Sequence, residues 1–283
     1  MDRKVALQIR WEEDWRAMLP YTAENGFKYV SMAFGDGINF FEDNWEDEIR
    51  EMKEMLDSLG LVCIMTHAPY YNLLISVEIL DEKMELALMR CMKATVMLGA
   101  DLMAVHPRAC LRNELEDVGK SYFYNMQNLL PLVKEAERLG CRIGIENLPT
   151  YPNWAVTFYS NFPEEHKRLI DDFNSPAVCG VWDFGHAHLA TEDQAAAIAV
   201  LGSRIKGTHV HDNFRKVDDH LPPTEGEIDW KVMMQALKAT GFDGYLTLEV
   251  HYYDWLKQGP EAIRDRVRHL YECVAKADEY LQV

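Results

Sequence analysis

The sequence contains no Cys-x-x-Cys pair: its six cysteines (Cys63, Cys91, Cys110, Cys141, Cys179 and Cys273) are scattered, and most fall in apolar runs. This excludes a zinc knuckle or a disulfide frame and reads them as reduced core residues. No run of about 18 uncharged apolar residues is present to span a membrane. The opening Met1-Asp2-Arg3-Lys4-Val5 runs straight into a strand with no signal-peptide core, so a cytoplasmic protein is expected. Basic charge is scarce. Lys plus Arg number 29 against 46 Asp plus Glu, a formal net charge of −17, which opposes long contact with a polyanion and makes nucleic acid an unlikely partner. A glycine-rich phosphate loop is also missing after the first apolar run, where Leu7-Gln8-Ile9-Arg10-Trp11 stands instead.

What is present is a regular alternation. Short β-rich apolar runs at residues 5–9, 28–34, 62–68, 102–106, 142–146, 178–183, 205–211 and 245–250 are separated by segments of helical period, with no Ser/Pro-rich linker between them. Leu80, Met84, Leu88 and Cys91 repeat at helical spacing, and Gly99 stands where a helix-ending glycine belongs. Leu59-Gly60, Leu98-Gly99 and Leu139-Gly140 repeat that punctuation shortly before a strand, giving a unit of roughly 40 residues. Eight strand-then-helix units predict an α/β fold, a single (β/α)8 TIM barrel forming one domain over residues 1–283. An open doubly wound sheet is the structural alternative.

In such a barrel the carboxyl ends of the strands make one rim, where eight loops converge and chemistry collects. Here the strand ends carry His67, His106, Glu146, Asp183 with His186, His209 with His211, and Glu249. A single rim histidine or glutamate is more often a hydrogen-bonded surface group than a ligand, so the joint pattern carries the argument. Three carboxylates on one rim, Glu146, Asp183 and Glu249, repel one another unless a cation neutralises them. A divalent metal ion follows. Carboxylate oxygens with an imidazole nitrogen suit Mn²⁺, Zn²⁺, Co²⁺ or Mg²⁺, and the lack of thiolates argues against a purely structural zinc. Trp11, Phe34, Tyr70, Tyr71, Trp182 and Trp255 are candidates either for packing on sugar C–H faces or for ordinary core and rim packing.

Three motifs are the most specific: Gly144-Ile145-Glu146-Asn147, Trp182-Asp183-Phe184-Gly185-His186, and His209-Val210-His211-Asp212 followed by Asp218-Asp219-His220-Leu221-Pro222. Together they resemble the xylose-isomerase-like barrel superfamily, which includes sugar isomerases, ketose 3-epimerases, inosose-processing enzymes and the endonuclease IV group. The resemblance runs over residues 62–250, and Glu225-Gly226-Glu227-Ile228-Asp229-Trp230 also looks like that family's lead into its seventh helix. From the epimerase branch it implies one metal on Glu146, Asp183, His209 and Glu249, with His209 chosen over His211 because the family's His-x-x-Asp pattern pairs His209 with Asp212. It also implies Glu146 and Glu249 as the acid–base pair, and His186 and Arg215 as substrate contacts. From the endonuclease IV branch it implies more than one ion, with His67 and His106 joining Glu146 at one and His186, Asp218 and His220 holding another. These residues serve equally as substrate ligands or as supports around one metal. The chain departs from that branch: Leu-Asp-Thr-Cys-His there reads Trp182-Asp183-Phe184-Gly185-His186 here, and the acidic balance is wrong for DNA.

These implications converge on a metal-dependent isomerase or epimerase of a small sugar, sugar acid, cyclitol or sugar phosphate, acting through an enediolate. The alternatives are an endonuclease IV-like metal-dependent phosphoesterase, a dehydratase or lyase on the same scaffold, and a non-enzymatic sugar-binding barrel. Arg108, Arg215 and Lys216 are candidates for a substrate phosphate or for pairing with surface acids. The expected partner is a small carbohydrate, and a homodimer is a form the resemblance also implies.

Overall fold

A computed structural model describes residues 4–12, 14–69, 82–111, 118–149, 156–191, 193–250 and 258–282. Among them, ten strands follow in chain order: β1 (Val5–Arg10), β2 (Tyr29–Ala33), β3 (Val62–His67), β4 (Leu102–Val105), β5 (Ala109–Leu111), β6 (Arg142–Glu146), β7 (Val156–Phe158), β8 (Val178–Asp183), β9 (Ile205–Val210) and β10 (Leu246–Leu248). The helices are α1 (Trp15–Glu24), α2 (Trp45–Leu59), α3 (Glu82–Met97), α4 (Val118–Leu139), α5 (Pro163–Asp172), α6 (Phe184–Ala190), α7 (Gln194–Leu201), α8 (Trp230–Ala239) and α9 (Pro260–Gln282). Eight strands, in the order β1-β2-β3-β4-β6-β8-β9-β10, form a closed parallel barrel. Closure is direct: Val5, Ala6 and Leu7 of β1 align with Leu246, Thr247 and Leu248 of β10, while Ala6 to Arg10 align with β2. The open doubly wound alternative is thereby excluded.

All eight expected strands are found, several ending one or two residues early. Strand β4 stops at Val105, just before His106-Pro107, because proline has no N–H to offer a ladder. Strands β5 and β7 were not anticipated. They pair antiparallel in the loops that follow β4 and β6, aligning Ala109 with Phe158 and Leu111 with Val156. Three-residue strands are too short for any period to show. Helix α6 was also not anticipated: it starts at the residue after β8, because the Asp183 side chain accepts from His186 N at 2.6 Å and caps the first turn. The helix-ending glycines behave as expected, with φ of +69°, +85° and +74° at Gly60, Gly99 and Gly140.

Strand alternation divides the interior into two cores. One set of positions, including Met103, Val105, Ile143, Ile145, Trp182, Val210, Leu246 and Leu248, packs in the main core with the helices, such as the Trp45, Ile49, Met52 and Leu56 stripe of α2. The alternate set, Met65, Leu102, Ala104, Cys179 and Val181, forms a separate plug inside the barrel. Gly144 and Gly207 belong with the plug: a methyl at Gly144 would press on Val181 and Leu102, and one at Gly207 on Leu102, Met65 and Val181. With period two, the next inward residues toward the rim are His67 after Met65, Glu146 after Gly144, Asp183 after Val181 and His209 after Gly207. The polar layer therefore sits directly on the apolar plug.

Candidate metal centre

Glu146 ends β6, Asp183 ends β8, His209 is the penultimate residue of β9, and Glu249 follows β10. All four are buried, none more than 4% exposed. His209 Nδ1 lies 3.1 Å from Glu146 Oε1, 3.2 Å from Glu249 Oε2 and 3.9 Å from Asp183 Oδ2. One ligand atom from each of the four lies within 4.8 Å of the others. Bonds of about 2.1 Å to a shared ion imply ligand separations of about 3.0 Å in octahedral and about 3.4 Å in tetrahedral geometry, so the two shortest spacings lie between the two. Glu146 Oε1, Glu249 Oε2 and both ring nitrogens of His209 are buried without a hydrogen-bond partner. Such a group is costly unless something else compensates it. A divalent cation fits the donor set.

The remaining expected residues extend this group on two sides. His67 Nε2 and His106 Nε2 lie 3.1 and 3.4 Å from Glu146 Oε2. On the other side, His186 Nε2 and His220 Nε2 lie 3.1 and 3.0 Å from Asp218 Oδ2, and His186 Nδ1 lies 3.2 Å from Glu146 Oε1. His211, set aside at first in favour of His209, belongs here too: its Nε2 is 3.0 Å from Asp183 Oδ2, and its ring stacks on His220 with centroids 3.9 Å apart. Two residues apart, at the end of β9 and just beyond it, His209 and His211 both turn inward, and that spacing is the signal for both. Three further sets at the mouth meet the same ligand-atom spacing as the central four: His67, His209 and Glu249; His67, His106 and Glu146; and His186, His211, Asp218 and His220.

Three residues shape the site in roles the sequence did not assign, although Asn147 and Asp212 stand within the Gly144–Asn147 and His209–Asp212 motifs. Gln8 on β1 donates from Nε2 to Glu249 Oε1 at 2.7 Å, leaving Oε2 to face His209. Asn147 joins two strand ends, accepting from Asp183 N and donating to Asp183 O, both at 2.8 Å. Asp212 organises the loop between β9 and α8: its carboxylate accepts from the backbone N–H of Asn213, Thr224 and Ile228 and from Trp230 Nε1. That folding brings Asp218 and His220 over the barrel mouth. A polar residue at an inward position of β1 was the readable hint for Gln8.

Other expectations fare differently. Trp182 faces the helices, where its Nε1 donates to Gln194 Oε1 at 3.2 Å. Trp11 and Phe34 pack edge-on in the core at 5.3 Å, so these three are packing residues. Tyr70, Tyr71 and Trp255 lie outside the described residues. Arg215 donates to the Thr191 carbonyl after α6 at 3.1 Å. The Arg108 backbone is held by Asn125 and Ser121, its N–H donating to Asn125 Oδ1 at 2.8 Å.

The electrostatics are those of imidazolium–carboxylate pairs. Burial pushes the Glu146 carboxyl up, but His209 and His106 beside it hold it well below the usual carboxylate range. Glu249 is likewise held low: burial and repulsion from Glu146 raise it, but His209, His220 and His67 together outweigh them. His209 answers in the opposite sense. Burial lowers it, yet Glu146 and Glu249 together push it up to about 9. Against the same burial, Asp183 and Asp218 raise His186 and Asp218 raises His220, while His106 is lowered because its burial wins. A divalent cation bound among these carboxylates would take the place of imidazole protons as their counter-charge.

Residues 19–273 match the description of a family, the xylose isomerase-like TIM barrel. The chain belongs to that family. Within reach of the xylose isomerase-like barrels, the uncharacterized protein MJ1311 of Methanocaldococcus jannaschii is 25% identical over 238 residues, covering 82% of this chain and 78% of its own. Fructoselysine 3-epimerase of Escherichia coli O157:H7 is 25% identical over 124 residues, 44% of each chain. A solved D-psicose 3-epimerase, crystallised in the presence of D-fructose, superposes with a TM-score of 0.77 over 99% of this chain and all of its own. Its 13% identity makes that a likeness of fold. Among the described residues no helix is long and apolar enough to cross a membrane.

Proposed function

We propose that the protein is a metal-dependent epimerase or isomerase of a small carbohydrate. The observation that carries this reading is the placement of Glu146 and Glu249, each with one oxygen 3.1–3.2 Å from the same His209 nitrogen. That brings two ionised carboxylates to one point at the barrel mouth, the pair that removing a proton from a carbon and returning one to it would use. Glu146, Asp183, His209 and Glu249 would hold a divalent ion, which when bound would supply Lewis-acid polarisation of a substrate carbonyl. Gln8 fixes which Glu249 oxygen is available to move a proton, and Asn147 fixes the β8 end that carries Asp183. His186 and His220 present N–H groups toward the cavity side occupied by Asp218, where substrate hydroxyls would be oriented. The fructoselysine and D-psicose epimerases above support a carbohydrate as the substrate class.

The test is proton–deuterium exchange at the carbon beside the carbonyl across a panel of ketoses, keto-sugar acids and cyclitol ketones, with elemental analysis of the purified protein. Exchange should require a divalent metal and disappear in both Glu146→Gln and Glu249→Gln. Undiminished exchange in both variants rejects the assignment. A lyase on this scaffold would share the exchange step and differ by releasing a leaving group. A second reading, a metal-dependent phosphoesterase, is favoured by the further ligand groups adjoining the central four. It requires three equivalents of metal and phosphodiester cleavage, where the epimerase reading needs one equivalent and none.

A further inference from the structure

Outside the barrel mouth, three metal-ligating side chains meet on the flank of α9. His269 and Cys273 are four residues apart on that helix and so share one face. Glu225, from the loop between β9 and α8, reaches across to them: its Oε1 pairs with His269 Nε2, and Cys273 Sγ lies 3.5 Å from the same nitrogen. The three ligand atoms all lie within 4.8 Å of one another. From these contacts we infer a second, independent metal site, a transition-metal site of one thiolate, one imidazole and one carboxylate suited to Zn²⁺ or Co²⁺.

The sulfur–nitrogen spacing matches the ligand type, while Glu225 and His269 are closed into a direct hydrogen bond that an entering ion would have to open. Tetrahedral bonds of about 2.3 Å to sulfur and about 2.05 Å to nitrogen place the two atoms about 3.6 Å apart, close to the spacing found. Arg266 Nη2 lies 3.7 Å from Glu225 Oε2, leaving Oε1 turned toward His269, so the arginine orients the carboxylate without taking the ligand oxygen. His269 and Glu225 are about two-fifths and one-third exposed, which gives an ion access, whereas Cys273 is 7% exposed at the inner end. A cation bound there would take the place of the Cys273 thiol proton. An ion there would tie α9 to the loop that carries Asp218 and His220. Its effect is to brace that loop from outside, with no part in the chemistry at the mouth.

The centre at the mouth contains carboxylates and imidazoles only, so a thiolate-specific signal separates the two sites. The experiment titrates the full-length, metal-loaded protein with excess Co²⁺ and follows near-ultraviolet thiolate-to-cobalt charge transfer. The wild type should develop this band with one thiolate per ion, and Glu146→Gln should retain it. Cys273→Ser should abolish it, and His269→Ala, a change at an exposed position that leaves the thiol in place, should weaken binding at least tenfold. Zn²⁺ in excess should raise the melting temperature of the wild type by more than that of Cys273→Ser, where the mouth alone can bind it. Absence of the band in wild type, or its persistence in Cys273→Ser, overturns the assignment. Because the band depends on sulfur, it fails or succeeds independently of the epimerase reading.

Discussion

Metal binding at the barrel mouth should be strongly coupled to proton release, and His209 sets the size of the coupling. Its imidazole is pushed up to about 9 by Glu146 and Glu249, so at pH 7 the metal-free protein carries a proton on the nitrogens an ion must use. Glu146 and Glu249 are held low and already ionised, so they contribute no proton. Displacing the His209 proton at pH 7 costs about 2 × 1.36, or roughly 2.7 kcal/mol, an apparent weakening of about 100-fold relative to pH 9. Apparent affinity should therefore rise about tenfold per pH unit from 6.5 to 9 and level off above. Isothermal titration with Mn²⁺, in pairs of buffers of different ionisation enthalpy, reads both the slope and the protons released. One proton per ion at pH 7 is expected for the four-residue site. A count near two or above would mean that an ion also enters the His186, His211, Asp218 and His220 group, where His186 and His220 are raised. A flat affinity with no proton released would refute the reasoning.

The metal-free protein should show the opposite pH trend in stability. His209 titrates near 6.5 when unfolded and at about 9 when folded, so its contribution is complete below pH 6.5 and lost as pH rises through 9. Chemical denaturation at pH 6.5 and 9.5 should differ by roughly 3 kcal/mol in the metal-free form, and much less when metal-loaded. Gln8→Leu removes the donor to Glu249 Oε1 and should lower metal affinity or kcat about 10- to 100-fold with little change in fold by circular dichroism; an unchanged value in both would remove Gln8 from the site. A methyl at Gly185 would overlap the His211 ring, so Gly185→Ala should destabilise by about 1–3 kcal/mol and break the His211–Asp183 contact, read from the melting curve and the His211 proton resonances.

Period-two alternation and the glycine stops carried the barrel, because each strand end recorded its own inward residue. Glu146, Asp183 and His209 sit two residues beyond Gly144, Val181 and Gly207, and that regularity can be read without coordinates. Trp182 shows the other side of the rule: one residue before Asp183, it faces the opposite way, and an aromatic near the rim became a core residue. What stayed illegible depends on contacts distant in the chain. Gln8 meets Glu249 across 241 residues where β1 closes against β10, and Asp212 gathers donors as far away as Trp230. His211 was legible by alternation but lost to a motif match that favoured one histidine. The β5–β7 pair and α6 arise from loop closure and from a cap by Asp183, features too short to leave a period.

The most direct measurement is anomalous diffraction from crystals of the full-length protein loaded with Mn²⁺ or Co²⁺. The account predicts a peak within about 2.0–2.3 Å of one atom each from Glu146, Asp183, His209 and Glu249, lost in Glu146→Gln. Density for an ion elsewhere, with these four side chains bonded only to protein or water at saturating metal, would contradict it.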